Sequence, residues 1–404
     1  MIQIAILGYG TVGSGVYEIT QKNAKSIKRK SGKEIVVKRI LDLREFDDHP
    51  HKELFTKEFD DILNDREISI VVETIGGLEP AYRFTKSALL AGKSVVTSNK
   101  ELVATHGTEL LRIAREQNVN YLFEASVGGG IPIIRPLNGC LAANEITEIF
   151  GILNGTTNYI LTKMIKDGES FADALRQAQE KGYAERNPEA DVEGHDACRK
   201  ICILASLAFG KAVDADKIHT EGITNITLED VREAADLGYV IKLIGYTKKT
   251  EDGRAICRVS PMLVPEGNPL SGVEDVFNAI MVRGDSIGDV MFYGRGAGKL
   301  PTASAVVADV IDIVKGADNK NFIWDEAPEG YMACYKEAVV SLFVRAKGVT
   351  KDDVEKVFGS DTVFGRTDEL CFITPPDKEK ELDKKLEALG GEIISRIRVM
   401  QEED

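Results

Sequence analysis

A short apolar strand, Gln3–Leu7, runs directly into Gly8-Tyr9-Gly10-Thr11-Val12-Gly13, and a helical pattern opens within that turn. A glycine string alone constrains little, but between a strand and a helix it constrains a great deal. The first glycine permits a tight turn and the second lets a pyrophosphate approach the backbone. The third allows close helix packing, and the helix amino terminus faces the phosphates. Gly8, Gly10, Thr11, Val12 and Gly13 are therefore expected to hold a dinucleotide, the alternative being a purely structural turn. Further strands are expected at Ile35–Leu41, Ile68–Glu73, Ser94–Thr97 and Asn120–Ala125, with helices such as Pro80–Ala91 and Glu101–Gln117 between them. Alternation of this kind predicts an α/β fold built on a Rossmann-type, doubly wound parallel sheet.

Ligands of such sheets gather at the carboxyl ends of the strands. Thr74–Gly77, Thr97–Lys100 and Glu124–Gly130 all fall there. Thr97 closes a strand at this end, and Lys100 just beyond it is placed to reach a nicotinamide ribose or a substrate carboxylate. As a plain surface lysine it would meet the positive end of a helix dipole. After the second strand comes Asp42-Leu43-Arg44, where an aspartate suits the ribose 2′-hydroxyl of NAD and an arginine the 2′-phosphate of NADP. Both are present, and both cofactors stay open.

Composition narrows the partners. The net charge of −14 comes without any offsetting basic block, which argues against a nucleic-acid partner. The longest near-continuous apolar run, Ile201–Phe209, is too short to cross a bilayer, so no membrane partner is expected. Six cysteines are scattered without a CxxC pair, and the first residues read as a strand rather than a signal peptide; reduced thiols in the cytoplasm are the simplest expectation.

From Ile131 the pattern shifts to long helices with a few strands, such as Glu145–Leu153. The turn Asn154-Gly155-Thr156 follows that strand and opens a helix, so Gly155 and Thr156 offer amides and a hydroxyl to a carboxylate; Asn154 or Thr156 also serves as an ordinary cap. The stretch Glu185–Lys200 is denser in chemistry. Acids crowd a loop and the first turns of an otherwise apolar helix that should stop at Gly210. Asp196 and Lys200 are four apart and share a face that continues apolar through Ile203 and Leu207. A solvated ion pair is the plain alternative, but the converging acids favour a site in which a half-buried lysine is a tunable proton donor.

These residues together resemble the homoserine dehydrogenase family. The resemblance rests on the glycine turn, Ser98-Asn99-Lys100, Glu124 with Val127–Pro132, Asn154-Gly155-Thr156, Gly182-Tyr183-Ala184-Glu185, then Asp191, Asp196 and Lys200, and finally Gly294–Gly298 with Pro301–Ser304. It implies reversible reduction of aspartate 4-semialdehyde to L-homoserine with NADPH or NADH, in threonine, methionine and isoleucine biosynthesis. It also implies roles: Lys200 as proton donor, Lys100 as the second lysine at the reacting centre, and Glu185, Asp191 and Asp196 around the substrate ammonium. Gly182, Glu185 and Gly296 would join the cofactor pocket. Glu124 with Val127, Gly129 and Ile131 would form a monovalent-cation site, whose all-oxygen ligation suits sodium.

The domain expectation is a dinucleotide-binding unit at 1–130, an α+β catalytic and dimerisation unit at 131–320, and a small module at 330–404. The tail's strand–helix order resembles an ACT ligand-binding module, with the loop before its first helix shortened to Lys347-Gly348-Val349. A core of its own, and a role in assembly rather than effector binding, are expected for it. Two other readings stand beside the main one: an aspartate-linked dehydrogenase on the same scaffold, and a non-catalytic amino-acid sensor. Strand edges without blunting lysines or prolines suggest a homodimer or homotetramer.

Overall fold

Strands apolar on both faces must be covered on both sides, and the first sheet is built that way. The computed structural model describes residues 1–316, 324–365 and 370–401. Strands β1 (Ile2–Leu7), β2 (Ile35–Leu41), β3 (Phe55–Thr56), β4 (Ile68–Glu73), β5 (Ser94–Thr97) and β6 (Tyr121–Leu122) form a parallel sheet in the order β3-β2-β1-β4-β5-β6. The order reverses between β1 and β4, which places a ligand crevice at their carboxyl ends. Helix α1 (Thr11–Lys22) starts in the glycine turn, and α2 (Lys100–Glu116) starts right after β5, where Asn99 accepts a hydrogen bond from the Leu102 amide. The last strand is shorter than expected. The chain leaves it for a 3-10 turn at Glu124–Ser126, where the buried Glu124 carboxylate collects the amides of Ile133, Ile134 and Arg135 at 2.7, 2.8 and 2.9 Å.

The second sheet is mixed and spans the rest of the chain. Its strands are β7 (Ile146–Ile152), β8 (His219–Thr220), β9 (Tyr239–Lys249), β10 (Ala255–Pro265), β11 (Phe277–Gly284) and β12 (Gly288–Arg295), continued by β13 (Val339–Lys347), β14 (Val363–Phe364), β15 (Leu370–Ile373), β16 (Asp377–Lys378) and β17 (Glu392–Val399). The order is β12-β11-β7-β9-β10-β17-β13-β15-β14, with β8 beside β10 and β16 beside β13. Helices α3 (Gly155–Asp167) and α4 (His195–Phe209) pack on one face of it. Gly210 ends α4 in the left-handed conformation, φ 68°, as the sequence requires.

Residues 131–316 are divided between the two sheets. Their last helix, α5 (Lys299–Val314), returns to the first sheet and packs on α1 so closely that a Cβ at Gly15 would lie 2.8 Å from the Lys299 carbonyl. Ala303, Val306 and Val310 share a core with Ile4, Ile6 and Val72. The apolar stripe of this helix is covered by the first sheet rather than the second.

The tail differs from expectation in a similar way. Helices α6 (Lys351–Phe358) and α7 (Glu379–Leu389) lie where the pattern puts them. However, β17 inserts between β13 and β10, parallel to the latter through Met262↔Arg398 and Leu263↔Val399. Leu342, Val344 and Leu382 share one core with Ile256, Met262 and Val264 of the catalytic sheet, so the tail has no separate core. Ion pairs cross the same junction: Arg345 to Asp230 at 2.8 Å, and Arg398, held within the tail by Glu379 at 2.6 Å, to Glu221 at 3.0 Å. A segment of about 70 residues is near the lower size range for a self-sufficient core, and sheet continuation adds to the apolar surface it buries.

Candidate active site

The carboxyl end of the first sheet faces the amino termini of α3 and α4 across a cavity of about 550 Å³. At its first wall stands the glycine turn. Gly8 has φ +90°, and a Cβ at Gly13 would lie 1.9 Å from the Gly8 carbonyl oxygen, so only glycine permits this strand-to-helix packing. Gly10 has open space where its Cβ would be, as a backbone that must let a phosphate approach requires. Val12 lines the cavity, and Thr97 ends β5 behind it. At the far end of β2, Asp42 accepts the Tyr9 amide at 2.7 Å and is clamped by Arg44, with both guanidinium contacts at 2.9 Å. Arg44 holds the Asp42 carboxyl down at about 2.

The opposite wall carries the charges. Gly194, in the left-handed conformation, opens α4, and Asp196 and Lys200 follow one turn apart. Lys200 donates to Asp196 Oδ2 at 2.8 Å and to the Leu153 carbonyl at 2.8 Å. Lys100, from the other domain, reaches Asp196 Oδ1 at 2.8 Å. One carboxylate thus bridges two ammoniums, one buried and one half-exposed. Burial pushes the Lys200 ammonium below its ordinary range, partly offset by Asp196. Burial works the other way on Asp196, but Lys200 and Lys100 outweigh it and hold that carboxyl far below the usual carboxylate range. Asp191 lies beside them, pushed up by burial.

Asn154 joins these groups. Its Nδ2 donates to Asp191 Oδ1 at 2.7 Å and to Asp196 Oδ2 at 2.9 Å, while its Oδ1 caps α3 by accepting the Thr157 amide at 2.9 Å. The cap at this turn is therefore Asn154, and the amides of Gly155 and Thr156 open the helix at the cavity. The Thr156 hydroxyl is already committed to the Tyr183 carbonyl at 2.7 Å, which leaves its amide as the anion donor. Gly182, Tyr183 and Glu185 rim the cavity, with the Glu185 side chain exposed.

The floor comes from two loops pressed together. A Cβ at Gly129 would lie 2.2 Å from the Gly296 carbonyl oxygen, and the Gly130 amide donates to the Arg295 carbonyl at 3.1 Å. Gly296 in turn backs onto Asn278, whose Nδ2 would stand 2.1 Å from a Cβ there. Asn278 is buried at 2 % exposure and its Oδ1 has no hydrogen-bond partner, although it lines the cavity. The sequence reading missed Asn278, because nothing in its local pattern separates it from any strand residue. It saw Asn154 only as a cap; the spacing to Asp191 and Asp196 is tertiary.

The expected cation site is altered in one respect. The Glu124 carboxylate is saturated by three amides and lies 3.4 Å from Arg135 Nε, so only its carbonyl is available to an ion. The Ile131 amide uses the Gly128 carbonyl and the Gly130 amide uses that of Arg295, which leaves the Val127, Gly129 and Ile131 carbonyls out of those bonds. Among the described residues no group of three or more His, Cys, Asp or Glu side chains could hold a metal, and no helix is long and apolar enough to cross a membrane. The six cysteines are free thiols.

Comparison with known proteins agrees with this geometry. The family profile described as homoserine dehydrogenase matches residues 132–311, and that of the homoserine dehydrogenase NAD binding domain matches residues 8–124. The homoserine dehydrogenase of Bacillus subtilis is 45 % identical over 320 residues, which cover 78 % of this chain and 73 % of that one. The crystal structure of a homoserine dehydrogenase from Thiobacillus denitrificans superposes with a TM-score of 0.89 at 36 % identity, covering 99 % of this chain and 98 % of that one. A hyperthermophilic archaeal homoserine dehydrogenase in complex with NADPH superposes with a TM-score of 0.66 at 31 % identity, over 77 % of this chain and 97 % of the other.

Proposed function

The chain belongs to the homoserine dehydrogenase family and is an oxidoreductase acting on a CH–OH group with an NAD-binding domain; from that premise we propose that the cavity between its domains interconverts aspartate 4-semialdehyde and L-homoserine through Lys200. The observation that carries this reading is the Lys100–Asp196–Lys200 bridge, which brings an ammonium from each domain to one buried carboxylate. The aspartate-dehydrogenase and sensor alternatives give no account of that bridge.

A nicotinamide cofactor, when bound, supplies the hydride for reduction or takes it for oxidation. Gly8, Gly10, Thr11 and Gly13 would hold its pyrophosphate at the start of α1, with Val12 and Gly296 lining its pocket and Thr97 closing β5 behind them. Gly182 and Glu185 would close the rim beside it. The chain's own chemistry then concerns one proton. As the aldehyde carbon becomes an alcohol carbon, Lys200 passes its proton to the oxygen and is left neutral; in the other direction neutral Lys200 takes the hydroxyl proton. Burial favours the neutral form and so eases this transfer, and the bonds to Leu153 and Asp196 fix its direction. Lys100 stabilises the developing charge from the other side.

The substrate's ammonium would sit among Glu185, Asp191 and Asp196, and its carboxylate at the Gly155 and Thr156 amides. The carbonyls of Glu124, Val127, Gly129 and Ile131 would hold a sodium ion, tying the hinge loop below the cavity. Both NAD and NADP remain substrates of this reading, because Arg44 and Asp42 stand together at the ribose position. A homodimer or homotetramer in the cytoplasm is proposed, supported by β12, whose free edge exposes Met291 and Tyr293. The tail is read as an ACT-like module that serves assembly.

The test is initial-rate oxidation of L-homoserine with NAD and with NADP, with L-aspartate as the alternative substrate. Homoserine turnover with at least one cofactor supports the reading, and turnover of aspartate alone ends it.

A further inference from the structure

Glu73 closes β4, and it is completely buried. A carboxylate at that depth is costly without partners, and its hydrogen bonds come from neutral groups rather than from a cation. The Thr97 hydroxyl donates to its Oε2 at 2.5 Å and the Ile75 amide to its Oε1 at 2.7 Å. Burial accordingly pushes the Glu73 carboxyl up. Sheet packing alone would be served better by an apolar residue here, so the carboxylate needs another explanation.

Its partners supply one. The Thr97 oxygen that donates to Glu73 also accepts the Asn99 amide at 2.9 Å. Asn99 in turn caps α2 by accepting the Leu102 amide at 3.1 Å, and its Nδ2 donates to the Gly77 carbonyl at 2.6 Å. On the other side, Thr74, next to Glu73, donates from its hydroxyl to the Leu7 and Gly8 carbonyls, each at 2.9 Å. The glycine turn, the turn at 74–77 and the turn at 97–100 are therefore fastened to one another around a single buried side chain. Lys100 is the first residue of α2, directly after the cap, and it extends from this knot to Asp196.

We propose that Glu73 is a positioning residue of the reaction: it locks the turn at 74–77, which Thr74 ties to the glycine turn, to the Thr97–Asn99 turn and so fixes where Lys100 presents its ammonium relative to the cofactor. The inference rests on the assignment of Lys100 to the reacting centre. Glu73→Gln keeps the shape and one acceptor but cannot both accept from Ile75 and accept from Thr97. The Thr97 hydroxyl then loses its fixed direction, and the start of α2 is free to shift. Misplacement of about 1 Å at a reacting centre costs on the order of a hundredfold in rate.

A double-mutant cycle on kcat, with cofactor affinity followed by fluorescence titration, tests it. Glu73→Gln is expected to lower kcat by about tenfold to a hundredfold while K_M for homoserine changes by less than about threefold, since the loss is in the transition state. In a Lys100→Ala background the same substitution is expected to cost nothing further, because its effect runs through Lys100. Equal losses in both backgrounds would show a general structural role and overturn the inference alone. Wild-type turnover of Glu73→Gln would also overturn it. Wild-type turnover of Lys100→Ala would overturn the site assignment and this inference with it. Should Glu73→Gln fail to fold, Thr97→Val removes the same link by deleting one hydroxyl and is held to the same outcomes.

Discussion

Replacing Asp196 by asparagine keeps the size of the side chain and removes the charge that both lysines pair with directly. Each ammonium lies 2.8 Å from a different oxygen of that carboxylate. Charge centres about 4 Å apart at an effective dielectric near 20 attract by about 4 kcal/mol. The asparagine oxygen retains one hydrogen bond, so roughly half of that stabilisation of the Lys200 ammonium, about 2 kcal/mol, should be lost. Burial already pulls Lys200 below its ordinary 10.5, and the variant pulls it further in the same direction. Aldehyde reduction needs the protonated lysine and homoserine oxidation the neutral one. The alkaline limb of the reduction profile and the acid limb of the oxidation profile should therefore both move to lower pH. On the alkaline limb, reduction should fall by up to about thirtyfold at a given pH, which is about 2 kcal/mol at about 1.4 kcal/mol per tenfold. Stability follows the same linkage. Lys200 binds its proton more weakly when folded, so the unfolded chain takes up more protons between the two values and stability rises with pH in that window. The variant should be less stable than the wild type at neutral pH and recover as pH rises toward 10.5. Rate profiles in both directions, with thermal melts across the same pH range, decide the matter. Profiles superimposable on the wild type would refute the reasoning, since Asp196 would then not be setting the state of Lys200.

Glu185→Gln should chiefly raise K_M for homoserine, because the ammonium it would meet is already charged in the ground state; an unchanged K_M removes Glu185 from the substrate site. Arg44→Ala should lower kcat/K_M with NADP by about tenfold or more while leaving NAD little affected, since a charged hydrogen bond to phosphate is worth about 1.5–3 kcal/mol; paired initial rates with the two cofactors check this. Arg398→Met removes one of the two guanidiniums on buried Glu379, leaving Arg396 at 3.1 Å, and a loss of about 1.5–3 kcal/mol in unfolding free energy is expected with kcat unchanged. Deleting 330–404 strips the apolar cover from Met262 and Val264 and should give an insoluble chain rather than a soluble enzyme with altered chemistry; a soluble, active truncation would contradict the shared core.

Much of the site could be read from the chain because its residues answer to local rules. The glycine turn is a strand-to-helix transition visible in the eleven consecutive residues Gln3–Gly13, and the helix carrying Asp196 and Lys200 follows its 3.6-residue period to the glycine that stops it. Lys100 was marked by its awkward place at a helix start, which its ion pair with Asp196 explains. What escaped depends on contacts across the chain. Asn154 finds Asp191 at a separation of 37 residues, and Arg398 finds Glu221 at a separation of 177, so neither partner choice leaves a periodic trace. The tail illustrates the limit best. Its strands and helices obey local patterns and were placed within a residue or two, yet the pairing of β17 with β10 depends on register between distant strands. The return of α5 to the first sheet is of the same kind, since nothing local in the chain marks the surface that covers it.

The central claim is that Lys200 moves the proton, and Lys200→Ala tests it most directly when turnover and cofactor binding are measured on the same preparation. Homoserine oxidation should fall by about 10²–10⁴ while the cofactor still binds with close to wild-type affinity, because the glycine turn and its loops are untouched. Turnover near the wild-type rate with intact cofactor binding would contradict the assignment and place the proton transfer on another group.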